Sequence, residues 1–271
     1  MSIAGWLPPE WQKAIMPIAV QEVSGAFTPI GTSFLLAFGG FNCVITAKHV
    51  VLKDGQPRTG LFMLNNLRNG SVIAKGFEQF AREGVNWVSH PEQDIAATVC
   101  PMNPEADDFK RFSENMLEDF ANIREGDDVF FLGFPLGITL PRRVTPIVRS
   151  GMVALKGDDD TYLIEANAYP GNSGSPIFFK PCPFELGSSG LTLGRIRPPK
   201  LTGIMVSFIP YRDVAVSKQT GEERIIFEEN SGLANVLSVR FIRETLSSQA
   251  FQDMLRSLRE RFPPPPQAQQ Q

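Results

Sequence analysis

Pro170-Gly171-Asn172-Ser173-Gly174-Ser175-Pro176 sets a serine between glycines, directly after apolar residues of β type. Such a stretch reads as a tight turn with an exposed hydroxyl. Serine is a weak nucleophile at neutral pH until a base removes its proton. The glycines let the backbone N–H groups of Gly171 and Ser173 face one point, where two converging donors would stabilise the oxyanion of a tetrahedral intermediate. Taken alone, a Gly/Ser/Asn cluster is more often an ordinary loop.

Two further stretches change that weighting. Thr46-Ala47-Lys48-His49-Val50 follows an apolar strand, and His49 is one of only two histidines in the chain. A base with a pKa near neutrality is what a serine nucleophile needs. Asp94-Ile95-Ala96-Ala97 puts an aspartate immediately before another apolar strand. That aspartate reads as a turn residue or cap, or, placed near His49, as the acceptor that holds the imidazole in one tautomer. The second histidine, His90, reads as a solvated or capping residue at the edge of the loop before Asp94.

Thr46–His49, Asp94–Ala96 and Gly171–Pro176, in that order, resemble the three signature motifs of chymotrypsin-like serine peptidases. Gly31-Thr32-Ser33-Phe34, Gly126-Asp127, Gly133-Phe134-Pro135 and Arg149-Ser150-Gly151 add supporting matches, so the resemblance covers about residues 18–236. It implies an all-β fold of two perpendicular six-stranded antiparallel β-barrels with a C-terminal α-helix. It further implies a serine endopeptidase working through an acyl-enzyme, with His49, Asp94 and Ser173 as catalytic residues. Gly171 and Ser173 would form the oxyanion hole, and Asn167, Ala168 and Ser207 would bind substrate. The substrate backbone would add as a strand beside residues 207–209.

Departures from the pattern refine the expectation. Secreted digestive members carry Asp where this chain has Asn172, and that Asp pairs with a new N-terminus after zymogen cleavage. Asn172 has no charge for such a pair, so the chain is expected to act without loss of a propeptide. It resembles bacterial glutamyl endopeptidases and high-temperature-requirement proteases instead. Val50 stands where secreted members have Cys. Asn167, at the position of the pocket floor, removes the counter-ion for Arg or Lys and points to a small or medium uncharged side chain.

The rest of the chain agrees with a strand-rich domain. It has 271 residues, 42% hydrophobic and 20% charged, with 23 glycines and 22 prolines, which is ordinary globular composition. Strand-like runs fall at residues 18–23, 31–38, 42–46, 60–64, 71–75, 95–99, 128–133, 143–156, 162–165, 176–179, 201–208 and 224–227. Gly39-Gly40 reads as a hairpin turn. Residues 107–123 carry apolar side chains at three- and four-residue steps and are expected to form an interbarrel helix. The stripe over 239–261 predicts one amphipathic helix docked on the body. Residues 182–200 read as a long surface loop. The expected division is 1–122 for a barrel bearing His49 and Asp94 with the interbarrel helix, 123–237 for a barrel bearing Ser173, 238–262 for a helix and 263–271 for a disordered tail.

With a net charge of −3 and no dense basic stripe, no nucleic-acid partner is expected. No run reaches the roughly 18 apolar residues of a membrane span, and no targeting segment is visible. Cys43, Cys100 and Cys182 are too few and too scattered for a disulfide framework and read as buried small hydrophobes, which points to the cytoplasm. No metal or organic cofactor is expected. The expected partner is a protein or peptide substrate. The rival reading is a catalytically silent or partner-gated module acting as a binding or regulatory component, for example in a prokaryotic defence or signalling system, with a regulatory protein as a further partner.

Overall fold

Gly39 and Gly40 both adopt positive φ (56° and 87°), the geometry of a two-residue hairpin turn whose twist suits the strands it joins. It links Phe27–Phe38 to Phe41–Ala47, with Phe38 opposite Phe41. The computed structural model describes residues 7–140, 142–187 and 190–262, and the backbone alone over 182–187 and 190–197.

This hairpin is the centre of an eight-stranded sheet. Its path runs Val72–Gly76, Leu61–Asn66, Ile15–Gln21, Phe27–Phe38, Phe41–Ala47, Ile95–Val99 and Val88–Ser89, with Phe112–Ser113 parallel beside Phe27–Phe38. The two end strands are not paired to each other, so this half departs from the expected six-stranded barrel. Val88–Ser89 is only two residues long, and the chain reaches it through the helix Phe77–Arg82, whose Phe77 and Phe80 are buried in the core.

The second half closes into a six-stranded barrel: Asp128–Gly133, Ile147–Lys156, Thr161–Glu165, Glu223–Ser238, Leu201–Val216, Pro176–Phe179 and back to the first. Side chains alternate across its walls. Val129, Phe131, Ile177 and Phe179 fill the barrel, while Phe130 and Phe178 belong to the core shared with the first half. There Trp11, Phe112 and Phe178 pack with ring centroids 4.9–5.4 Å apart.

Three further expectations are corrected. Residues 107–123 form no interbarrel helix, only the strand Phe112–Ser113 and two 3₁₀ turns, Glu114–Met116 and Phe120–Asn122. The backbone there bonds to distant partners: Asp108 N–H to Asn66 O, Lys110 N–H to Lys13 O and Glu118 N–H to Leu201 O. Its apolar residues serve two cores, Phe112 the first and Ile123 the barrel, which one helical face cannot do. The C-terminal stripe is two helices, Val239–Ser247 and Gln249–Arg261, because Ser248 leaves helical geometry (φ −60°, ψ 148°) and its Oγ accepts the Phe251 N–H. Both dock as expected, burying Ile242, Leu246, Phe251 and Leu255. The stretch read as a loop is a hairpin, Cys182–Gly187 with Gly190–Arg197. Cys43 and Cys100 are buried and free; the side chain of Cys182 and the tail 263–271 lie outside the described residues. Among the described residues, no helix is long and apolar enough to cross a membrane.

Candidate active site

His49 and Asp94 meet because of strand register. Phe41–Ala47 pairs antiparallel with Ile95–Val99, and Ala47 lies opposite Ile95. The residue just past the end of one strand therefore faces the residue just before the start of the other. The Lys48 N–H donates to Asp94 O (3.1 Å) and the His49 N–H to Asp94 Oδ1 (2.9 Å). His49 Nδ1 lies 2.6 Å from Asp94 Oδ2. An ionised carboxylate only accepts, so Nδ1 carries the proton and Nε2 is left with a free lone pair. The His49 side chain is 51% exposed, open to a reactant.

The loop that delivers Asp94 is tied down by His90. His90 is buried rather than solvated, and it acts as a cap. Its Nδ1 accepts the N–H groups of Glu92 (3.2 Å) and Gln93 (2.9 Å), so its Nε2 bears the proton and donates to Glu244 Oε2 (3.0 Å). Its carbonyl accepts Lys48 Nζ (2.9 Å). The first C-terminal helix thereby anchors the loop. Burial opposes ionisation of Glu244, but hydrogen bonds from His90 and Arg240 outweigh it and hold its carboxyl below the usual range.

Ser173 sits in a turn whose peptides are individually pinned. Pro170 O accepts the Leu136 N–H (2.7 Å) and Asn172 O accepts the Ser175 N–H (2.9 Å). Carbonyl and N–H point oppositely across a planar trans peptide, so these bonds turn the Gly171 and Ser173 N–H groups the other way. Among the described residues neither N–H has a partner. Thr32, from the first sheet, clasps the turn: its N–H donates to Ser173 O (2.8 Å), its Oγ1 donates to Gly171 O (2.7 Å), and its Oγ1 accepts the Phe134 N–H (3.1 Å). The next residue along the strand, Ser33, pairs with Thr46, three residues before His49. Thr32 thus joins the Ser173 turn to the His49 strand, a role not read from the sequence although Gly31–Phe34 stood out as a supporting match.

Close approach explains the glycines. Gly174 has φ +92°, and a Cβ there would lie 1.9 Å from Thr32 O; Gly171 has φ +96°, and a Cβ would meet Phe134 O at 2.2 Å. Asn172 is buried, with no hydrogen-bond partner for its amide among the described residues. A carboxylate there would be an unpaired buried charge.

The Ser173 hydroxyl donates to Val206 O (3.2 Å), and no hydrogen bond joins it to His49 among the described residues. Val206 lies at a register shift between Met205 and Ser207, which leaves it without a cross-strand partner and frees its carbonyl. Turning the hydroxyl away needs only a change of χ1 rotamer.

The three expected substrate-binding residues differ in exposure and contacts. Ala168 is buried and its carbonyl accepts Asn230 Nδ2. Ser207 is exposed, its Oγ accepting Asn235 Nδ2 at 2.9 Å. Asn167 is exposed and lines a cleft of about 400 Å³ with Ser150, Met152, Glu165 and Lys180, and neither Ser173 nor Ser207 lines it. No cluster of three or more His, Cys, Asp or Glu able to hold a metal occurs among the described residues.

Residues 31–180, which include His49, Asp94 and Ser173, match the trypsin-like peptidase domain. The chain belongs to the trypsin-like peptidase family. Among solved structures it is similar to a serine endoprotease from Yersinia pestis (15% identity, TM-score 0.50), over 90% of this chain and 65% of that one. A thermostable serine protease, AL20, from an extremophilic microorganism matches over 88% of this chain and 96% of its own (14% identity, TM-score 0.50). An HtrA-type protease, AlgWS227A, with a decapeptide matches over 93% of this chain and 65% of its own (15% identity, TM-score 0.47). This member of the family thus spans about two thirds of the Yersinia and HtrA-type chains, and likeness at such identities concerns the fold. No curated protein matches the sequence.

Proposed function

We propose that the chain is a serine endopeptidase with Ser173 as nucleophile, His49 as general base and Asp94 as the acid that orients it. The observation that carries this reading is the pair of unpartnered N–H groups, Gly171 and Ser173, aimed by bonds to their own peptides' carbonyls. Ser173 Oγ attacks the substrate carbonyl carbon as His49 Nε2 takes its proton, and the oxyanion forms against the two N–H groups. Asp94, already on Nδ1, stabilises the imidazolium. Collapse breaks the C–N bond, the leaving amine takes the proton from His49, and water then releases the acyl group by the same route. The segment Val206–Ile209 beside Ser173 carries no charged side chain, which favours an uncharged residue at the scissile bond. The free, buried Cys43 and Cys100 support a reducing, cytoplasmic setting.

A gated reading rests on one observation, the Ser173 hydroxyl bonded to Val206 O instead of His49. A fluorophosphonate probe separates the two. Ser173 labelling of the isolated protein that vanishes in Ser173→Ala and falls steeply in His49→Ala is the expected result. An isolated chain that stays unlabelled, and is labelled only with a partner or peptide present, would replace free activity by gating.

A further inference from the structure

Leu201–Val216 is sixteen residues long, far more than its place in the barrel requires. On one side it pairs with Pro176–Phe179 only at Leu201, Gly203 and Ile204. On the other it pairs with Glu223–Ser238 out to Val216. From Pro210 on, the two strands leave the barrel as a ribbon, exposed along Tyr211–Val216 and Glu223–Glu229. The ribbon nonetheless carries Tyr211, Val214, Val216, Ile225, Ile226 and Phe227 exposed to solvent, Tyr211 by 59% and Phe227 by 52%.

Cross-strand neighbours share a face, so Val214 with Ile226 makes one apolar face and Ala215 with Ile225 the other. A two-stranded ribbon without a core behind it is marginal in water, and an apolar open edge is a template for another strand.

Continuity identifies the occupant. Val206 O accepts the Ser173 hydroxyl, so that edge of the strand faces the Ser173 turn. Strand backbone groups alternate sides, so Phe208, Pro210, Arg212, Val214 and Val216 present theirs along the same edge. The register shifts after Ile209 and Ala215 are taken up by extra residues on the partner strand, Ser231 and Gly232, then Arg224, so the edge itself runs unbroken. Pro210, which lacks an N–H, falls where no ladder bond is lost. Among the described residues no strand pairs with this edge beyond Ile204.

Taking the peptidase reading as its starting point, we infer that this arm is an extended substrate subsite. Its ligand is a polypeptide segment in strand conformation, with β-branched and aromatic residues, added as a third strand from Ser173 toward the arm's tip. Antiparallel addition is the more stable pairing, and it puts the residues N-terminal to the scissile bond on the arm. At ~3.3 Å per residue, an edge from Val206 to Val216 holds about ten of them.

The test compares peptides with one scissile sequence and either about three or about ten upstream residues. In the intact chain kcat/KM should rise about tenfold or more with upstream length, and extension downstream should bring no such gain. The ratio of long to short should fall toward unity when residues 212–228 are replaced by an Asn-Gly turn, and in Val214→Pro, which deletes one edge N–H and leaves the ladder to the partner strand. Binding of the same peptides to Ser173→Ala, read by fluorescence anisotropy, reports on the arm without turnover. Length-dependent affinity lost in the Val214→Pro background upholds the arm even if fluorophosphonate labelling fails and the peptidase reading falls. Length-independent cleavage and binding in a chain whose Ser173 is labelled overturns the arm alone. So does a length gain that survives the Asn-Gly replacement, including the case where the replacement only disperses a dimer of the chain in sedimentation.

Discussion

The Leu136 N–H donates to Pro170 O at 2.7 Å, and that bond orients the peptide whose far end is the Gly171 N–H. Leu136 makes it from the left-handed region, at φ 56° and ψ 21°, with the residue 61% exposed. A branched side chain in that region costs about 1–2 kcal/mol, which the bond to Pro170 O helps to offset. Leu136→Pro deletes the donor and cannot take a positive φ. It is expected to lower kcat at least tenfold, toward the ~10²-fold loss typical of a missing oxyanion donor. Leu136→Asn, which tolerates this backbone geometry, is expected to keep near-native kcat, and steady-state kinetics on the pair checks the assignment.

Gly174→Ala should be more damaging than its single methyl suggests. The new carbon would sit 1.9 Å from Thr32 O, at φ +92°. Backbone on both sides must yield, which breaks the clasp between the Thr32 strand and the Ser173 turn. A loss of about 3 kcal/mol or more is expected, measured by denaturant unfolding. Thr32→Val, which keeps the volume but strands the buried Gly171 O and Phe134 N–H, should cost about 1–3 kcal/mol.

Asp94→Asn keeps the shape of the side chain but replaces an acceptor with an amide that can donate to Nδ1. His49 would then carry its proton on Nε2 and could not accept one from Ser173. A fall in kcat on the order of 10⁴-fold is expected, with the fold intact. Circular dichroism alongside the kinetics distinguishes this from unfolding; a modest fall with an unchanged pH profile would remove Asp94 from the proposed mechanism.

Glu244 provides a pH test. Its carboxyl titrates below its ordinary value of 4.5 in the folded chain, so the folded state binds its proton less readily than the unfolded state does. Its contribution is therefore fully present above pH 4.5 and is lost as the pH falls through the lowered folded value. The Tm difference between the native chain and Glu244→Gln should be steady near neutrality and shrink below pH 4.5. A difference that grows on acidification would have the wrong sign for this anchor of the Asp94 loop.

What could be read in advance was local. Gly171 and Gly174 mark a turn because positive φ and close approach demand glycine, and Gly39-Gly40 marks a hairpin for the same reason. His49 and Asp94 stand out because each adjoins an apolar strand. The regularity of 107–123 misled because apolar spacing says nothing about how many cores a segment serves; Phe112 and Ile123 belong to different ones. The break at Ser248 was hidden because a serine in mid-stripe reads as a solvated position until its hydroxyl is seen to cap the next helix.

By itself, then, the sequence determined the strand-rich character, the motif-bearing turns and the residue types able to do acyl-transfer chemistry, since these follow from backbone sterics and side-chain chemistry within a few residues. Only the tertiary structure decided that Ala47 lies opposite Ile95 and so brings His49 to Asp94. It also decided that Thr32 and Leu136 aim the Ser173 turn, that Asn167 opens onto a separate cleft, and that Leu201–Val216 runs out of the barrel as an arm. Most of these are choices of partner for a backbone group far away in the chain, and hydrogen-bonding capacity is the same in every non-proline residue's backbone until folding selects the partner.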